Sequence, residues 1–313
     1  MAKTSRAVVI GSGFGGLAAA VRLGARGYDV TVCEKLDKPG GRAYVYEQDG
    51  FVFDAGPTIV TAPFLLEELW ELCGRKMADD IDLRAINPFY RIRFDDGSHF
   101  DYSGDDEAMK AEIARFNPDD VAGYERFLKA SSMLYDIGFD QLLTESFDSF
   151  GKMTRVLPQL LRSQFYRSVY SLVARYIKHP KLKMVFSFHP LLVGGNPFTT
   201  TAVYALIAQL ERRHGVHFAM GGTGSLVKGL VKLIESQGNT IRCNAAVKQI
   251  RVEDGRAVGV ELESGVTLDA DVVVSNADSA ATYRYLVPEA YSKRWNARKL
   301  ARSRYSMSLF VWY

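Results

Sequence analysis

Apolar and polar positions fall into ordered blocks between Ala7 and Arg42. Ala7-Val8-Val9-Ile10 has no polar side chain, as expected of a strand buried on both faces. It runs directly into Gly11-Ser12-Gly13-Phe14-Gly15-Gly16. Leu17 to Arg26 then reads as a helix, and Asp29 to Cys33 as a second strand closing on Glu34. Strand, glycine turn, helix, strand and acid follow one another as in a dinucleotide-binding unit. Gly11, Gly13 and Gly16 occupy the three positions of GxGxxG, and the acid lies on the order of 20 residues further on, where a ribose-binding carboxylate belongs.

Each part of this block has a physical role. Gly11 permits the tight turn, Gly13 lets the backbone approach a pyrophosphate, and Gly16 lets the helix pack close to the strand. The helix N-terminus presents free N–H groups and a positive dipole end to phosphate. Glu34 can accept from both ribose hydroxyls and would repel a 2′-phosphate. Beyond it, Lys35-Leu36-Asp37-Lys38-Pro39-Gly40-Gly41-Arg42 adds a second glycine turn and a guanidinium. An NAD site has no need of these, so the residues read as an FAD site.

The dinucleotide pattern resumes much later. Gly221-Gly222-Thr223-Gly224 precedes a helical pattern over Ser225 to Ser236. Two β-rich runs, Ala246 to Val252 and Ala257 to Leu262, flank Asp254-Gly255, a strong hairpin signal. After a turn at Glu263-Ser264-Gly265, Asp269 to Ser275 reads as one uninterrupted strand ending at Asn276-Ala277-Asp278. The expected fold is α/β: a discontinuous Rossmann-like FAD-binding domain over residues 1–75 and 220–290. An inserted α+β, largely helical substrate and membrane domain takes residues 76–219 together with 291–313. A separate small β domain is the other reading of the hairpin region, and chain order argues against it.

Composition adds limits. A chain of 313 residues holds one large or two ordinary domains, and 47% hydrophobic with 24% charged residues is globular. The net charge of +3 gives no general reason to expect nucleic acid. Cys33, Cys73 and Cys243 are far apart, follow no metal spacing and suit a reduced, cytoplasmic setting. The first apolar run is too short for a secretory signal, and no run approaches the ~18–20 apolar residues of a membrane span.

Charge is uneven within the insertion. Asp101 to Asp148 carries twelve acids against four bases, whereas Ser149 to Leu210 has no acid and eight bases. Those bases, among them Arg162, Arg167, Arg175 and Lys178, are interleaved with Phe165, Tyr166, Tyr170 and Leu172. Such a composition suits peripheral attachment to an anionic membrane surface. It equally suits a helix pair with a solvated basic face. Single-stranded nucleic acid would also fit bases among aromatics, but the FAD motifs account for the rest of the chain.

The glycine turn, Glu34 and KPGGRAYVYEQDGFVFDAGPT (Lys38 to Thr58) resemble the FAD-dependent amine oxidase and carotenoid desaturase superfamily. NPFYRIRFDDG (Asn87 to Gly97), SFHPLLVGGNPF (Ser187 to Phe198) and GGTGSLVKGL (Gly221 to Leu230) narrow the resemblance to the bacterial-type phytoene desaturases. It implies FAD contacts at Gly11, Gly13, Gly15, Gly16, Glu34, Lys35, Gly41, Arg42, Gly56, Pro57, Thr58, Val247 and Asn276. It also implies stepwise desaturation of phytoene to neurosporene- or lycopene-type carotenoids, by hydride transfer to flavin at a membrane surface. Electrons would pass on to oxygen or a quinone. A related carotenoid oxidase or isomerase is the alternative within the superfamily. A non-catalytic isoprenoid-binding protein, like the prenyl-binding GDP-dissociation inhibitors, is the alternative of a different class. The intact glycine turns and Glu34 argue against it.

No catalytic residue can be assigned. His189, between Phe188 and Pro190, reads as a core histidine rather than a base. His214 and His217 flank a turn at Gly215 without a metal-binding partner. Asp54 reads as a brace for its turn, and no nucleophile–base pair is legible. Hydrocarbon desaturation needs none, since the cofactor carries the hard chemistry. Leu191 to Phe198 suits either a tunnel wall or core packing. Ser308 to Tyr313 is a strand-like apolar run, and the resembled family carries a further glycine-rich flavin segment. The chain is therefore expected to be an N-terminal portion of a longer protein.

Overall fold

The computed structural model describes residues 5–141, 158, 161–307 and 312. The chain divides into two compact units. One comprises Met1–Arg84, Phe218–Tyr305 and Val311–Tyr313, and the other Ala85–His217 with Ser306–Phe310. The first unit is discontinuous, and its edges differ from the expected residues 75 and 220. Asp80 is the reason for the first: its carboxylate accepts from Trp70 Nε1 at 2.8 Å, Arg75 at 2.9 Å and Lys232 at 2.5 Å. Met220 N–H donates to Asp82 O at 2.8 Å, holding the next residues to the same unit. Residues 291–305 also lie in this unit rather than in the inserted one. There the short helix Ala297–Ala301 buries Leu300.

The centre of the first unit is a four-stranded sheet in the order Val272–Ser275, Arg6–Ile10, Asp29–Cys33 and Thr240–Arg242. All three pairings are parallel. The strand Arg6–Ile10 serves both faces by simple alternation. Ala7 and Val9 join a core with Leu17, Val21, Leu230 and Trp70. Val8 and Ile10 join a second core with Ile250, Val260 and Leu262. Helices cover the first face. Phe14–Ala25 follows the glycine turn, and Thr223–Ser236 buries Leu226, Val227, Leu230, Leu233 and Ile234, the i, i+3, i+4 stripe of an amphipathic helix. An antiparallel meander covers the second: Val247–Glu253, Arg256–Leu262 and Thr267–Asp269. Its first turn has Asp254 at φ 49° and Gly255 at φ 76°, the left-handed pair that a two-residue hairpin requires.

Two local expectations need correction. Asp269 to Ser275 is not one strand. The meander strand ends at Asp269, and the sheet strand begins at Val272. Between them Ala270 N–H donates to Val258 O while Asp271 N–H donates to Arg6 O, so the chain changes sheets here. The strand Thr240–Arg242 is an addition to the expected sheet. Its three residues are too few to show a period.

The second unit builds a hairpin, Tyr90–Arg93 with His99–Tyr102, against helices Asp106–Phe116, Asp120–Tyr135, Val169–Val173, Pro180–Ser187 and Leu206–His214. Phe100, Tyr102, Tyr124, Phe127 and Phe186 fill an aromatic core. Asp120, 1% exposed, accepts from the Lys178 and His179 amides at 2.7 and 2.8 Å, tying down the loop that enters the helix at Pro180. Leu172 is fully buried here, so it is a core residue and is not available to a lipid surface. Leu191, Leu192 and Val193 are exposed on a 3-10 turn, so core packing does not describe them. Lys152, Arg155 and the end of the chain apart from Trp312 lie outside the described residues. Among the described residues no helix is long and apolar enough to cross a membrane. Among them, too, no cluster of three His, Cys, Asp or Glu is placed to hold a metal ion.

Candidate dinucleotide site

The site lies where the strand Arg6–Ile10 gives way to the helix Phe14–Ala25. Gly11 has φ 88°, a conformation that favours glycine. A Cβ on Gly16 would stand 2.0 Å from Gly11 O, so turn and helix touch backbone to backbone. Gly13 is the N-cap, and no side chain caps this helix. Its first-turn amides therefore remain donors for a ligand.

The second glycine turn docks on the first. Gly40 N–H donates to Ser12 O at 3.0 Å, and Gly13 and Gly40 form a parallel bridge. Gly41 has φ 57°, and a Cβ there would lie 3.0 Å from Gly13 Cα. Arg42 opens outward, exposed and without an ion-pair partner among the described residues. Gly56 packs under it, its missing Cβ 2.2 Å from Arg42 O. Pro57 and Thr58 are exposed beside it, and Thr223 Oγ1 donates to Pro57 O. Asn276 follows the neighbouring strand, Val272–Ser275, which pairs directly with Arg6–Ile10. Its N–H donates to Ile10 O at 2.8 Å, and its side-chain amide stands over Gly13 and Gly15.

Glu34 is 4% exposed and bonded through both carboxylate oxygens. Its Oε2 accepts from Ser12 N–H at 2.9 Å and Ser12 Oγ at 2.6 Å, and its Oε1 from Leu36 N–H at 3.0 Å. Burial pushes its carboxyl up, but the bonds from the Ser12 hydroxyl and the Leu36, Ser12 and Lys35 amides outweigh it. The group therefore sits below the ordinary glutamate value. Lone pairs remain for a ribose hydroxyl. The short strand Thr240–Arg242 and the residues after it clamp the Glu34 backbone: Glu34 N–H donates to Arg242 O, and Ala245 N–H to Glu34 O, both at 2.8 Å.

Lys35 and Val247 flank this cluster: the Lys35 amide is one of the donors that hold Glu34, and Val247 packs on the core that includes Ile10, Cys33 and Ala245. The Lys35 side chain is exposed. Val247 is half-buried on the first meander strand, opposite Leu262. Sequence reasoning missed Ser12, the partner that sets Glu34; a small polar residue between the first two glycines was its only signal. Asp54, expected as a brace for its own turn, accepts from a distant one. Oδ1 accepts from Gly224 N–H at 3.3 Å, and Gly222 at φ 78° leaves the room, since a Cβ there would lie 2.0 Å from Oδ2.

A parallel sheet, two interlocked glycine turns and a buried acid after the second strand define a dinucleotide-binding protein of the FAD type. Residues 14–312 match the flavin containing amine oxidoreductase family, and the chain belongs to it. It is 49% identical over 308 residues to a neurosporene-forming phytoene desaturase of Cereibacter sphaeroides, covering 98% of this chain and 60% of that protein. A lycopene-forming phytoene desaturase of Pantoea ananas is 47% identical, with 97% of this chain and 62% of the relative covered. The chain thus spans about 60% of the length of these relatives. Among solved structures, putrescine oxidase bound to putrescine superposes with a TM-score of 0.61 at 16% identity, over 93% of this chain and 63% of that one. The cofactor is FAD, and the uncapped helix, free Arg42 and glycine cradle suit its diphosphate and ribose.

Proposed function

We propose that the whole protein is an FAD-dependent desaturase that converts phytoene to neurosporene or lycopene. The observation that carries this reading is the pair of glycine turns locked onto Glu34, in a chain nearly half identical to phytoene desaturases along almost its whole length. Gly11, Gly13, Gly15 and Gly16 would cradle the diphosphate, with Asn276 over the turn and Gly41 and Arg42 alongside. Glu34 would accept from the ribose, and Gly56, Pro57 and Thr58 would border the cofactor. Bound flavin would supply a two-electron acceptor for a hydride from the hydrocarbon, whose neighbouring carbon would lose a proton, and this asks no nucleophile of the protein. Oxygen or a membrane quinone would take the electrons onward. Incubating the full-length protein with FAD and phytoene in liposomes should yield the longer absorption bands of a conjugated polyene. Unchanged phytoene in the presence of bound FAD would overturn the assignment.

Peripheral attachment to the cytoplasmic face of a membrane belongs to the same reading. Arg162, Arg175 and Lys178 are exposed in an acid-free stretch, and Leu161, Tyr166 and Phe198 expose apolar area within the same stretch. Changing Arg162, Arg175 and Lys178 together to Glu should release the protein from anionic liposomes in a sedimentation assay while leaving bound FAD unchanged. Wild-type binding should weaken as salt rises, because exposed charges are screened over ~8 Å at physiological ionic strength. Equal sedimentation of wild type and variant would remove the basic face from the argument.

A further inference from the structure

Spacing along the chain allows Glu34 to accept from both ribose hydroxyls. The fold restricts it to one oxygen. An ionised carboxylate offers about four lone-pair sites, two on each oxygen. Oε2 accepts from Ser12 N–H at 2.9 Å and from Ser12 Oγ–H at 2.6 Å, which fills it. Oε1 accepts from Leu36 N–H at 3.0 Å and keeps room for one further donor. The Lys35 amide favours the ionised carboxylate without making one of these bonds.

The donors on Glu34 are fixed. Ser12 is 0% exposed. Gly40 N–H donates to Ser12 O at 3.0 Å and reaches Ser12 Oγ at 3.4 Å. The hydroxyl oxygen therefore faces a donor on the side of the second glycine turn, and its single proton points to Glu34. Gly11 N–H donates to Cys33 O at 2.8 Å, tying the first turn to the strand end that carries Glu34. Asn244 N–H donates to Leu36 O at 2.9 Å, which holds the Leu36 peptide in place beneath Oε1. Swinging the carboxylate toward a ligand would strand buried donors, which is costly. Oε2 is thus committed to the turn, and Oε1 alone is open.

We propose that Ser12 is a positioning residue that fixes how Glu34 reads the adenosine ribose of the cofactor: with Oε2 filled, Glu34 accepts from one hydroxyl only, through Oε1. The other hydroxyl makes no bond to Glu34. This rests on the FAD reading of the cradle and is independent of which hydrocarbon is oxidised.

The test measures binding to the full-length apoprotein by quenching of flavin fluorescence. The ligands are FAD and two analogues whose adenosine lacks the 2′- or the 3′-hydroxyl. In the wild type one analogue should bind about tenfold or more weakly than FAD, as expected for one lost hydrogen bond to a charged acceptor, and the other within about twofold of FAD. Ser12→Ala opens a site on Oε2. In that variant the tolerated analogue should also weaken, by about fivefold or more relative to FAD. Loss of mere structural support would lower affinity for all three ligands together and leave their ratios unchanged. Equal losses for the two analogues in the wild type, or no loss with either, would overturn the proposal. So would unchanged ratios in Ser12→Ala. If that variant does not fold, the wild-type comparison decides by itself. No binding of FAD by the wild type would overturn the cofactor reading and this inference with it, a result distinct from equal losses.

Discussion

Gly16→Ala is expected to abolish FAD binding, whereas Gly15→Ala is expected to be mild. The added methyl at position 16 meets a backbone oxygen, Gly11 O, at 2.0 Å, with Asn276 Cβ at 3.2 Å behind it. Neither can yield without moving the strand end away from the helix. At position 15 the methyl meets Asn276 Oδ1 at 2.5 Å, the far end of a side chain that can rotate. Overpacking against backbone costs about 3 kcal/mol, which lowers Tm by roughly 6–12 °C in a domain of this size. A shift of the cradle that costs the ligand as much weakens binding at least ~100-fold. Flavin absorbance after gel filtration, with thermal melts of both variants, measures the contrast. Equal flavin retention in the two would mean that helix and strand are not held as closely as the geometry requires.

Glu34 should be nearly as sensitive, and in a pH-dependent way. Glu34→Ala leaves Ser12 N–H, Ser12 Oγ–H and Leu36 N–H without their acceptor. Each buried donor so stranded costs about 1–3 kcal/mol, and a ribose acceptor is lost as well. Glu34→Arg should be worse, since it places a cation among donors. Because the folded carboxyl lies below its ordinary value of 4.5, the folded state binds the proton less readily than the unfolded chain does. Its contribution to stability is therefore fully present above the unfolded value and is lost as pH falls through the folded one. The stability gap between wild type and Glu34→Gln should be widest near neutral pH and close under acid. Denaturant melts across pH check this, and a gap that widens as pH falls would mean that the carboxyl is not held by these donors.

Short-range chemistry is legible in the chain itself. Gly11, Gly13, Gly16, Gly40 and Gly41 announce backbone contacts because a missing side chain is itself the signal. Glu34 is recognised by its distance from the turn, and the hairpin by Asp254-Gly255. Long-range pairing is not legible in the same way. Thr240–Arg242 becomes a strand because Thr31, Val32 and Cys33 offer it a partner edge. Asp80 reads as one surface acid among many, yet Trp70, Arg75 and Lys232 converge on it. Leu172 looks like its aromatic neighbours in the basic stretch, but the helix turns it inward.

His189 marks the same boundary. Its apolar neighbours correctly imply burial, because burial follows from local hydrophobicity. They say nothing of Glu211, 22 residues on, or of Tyr90, 121 residues before Glu211. The sequence by itself determined the dinucleotide cradle, the order of its parts and the family, since these rest on glycine and carboxylate spacings within a few turns of chain. The tertiary structure decided which buried acids are satisfied and by whom, where the unit boundaries fall, and which apolar residues of the basic stretch face outward. Those outcomes depend on hydrogen bonds and packing between segments far apart in the chain, where spacing carries no information.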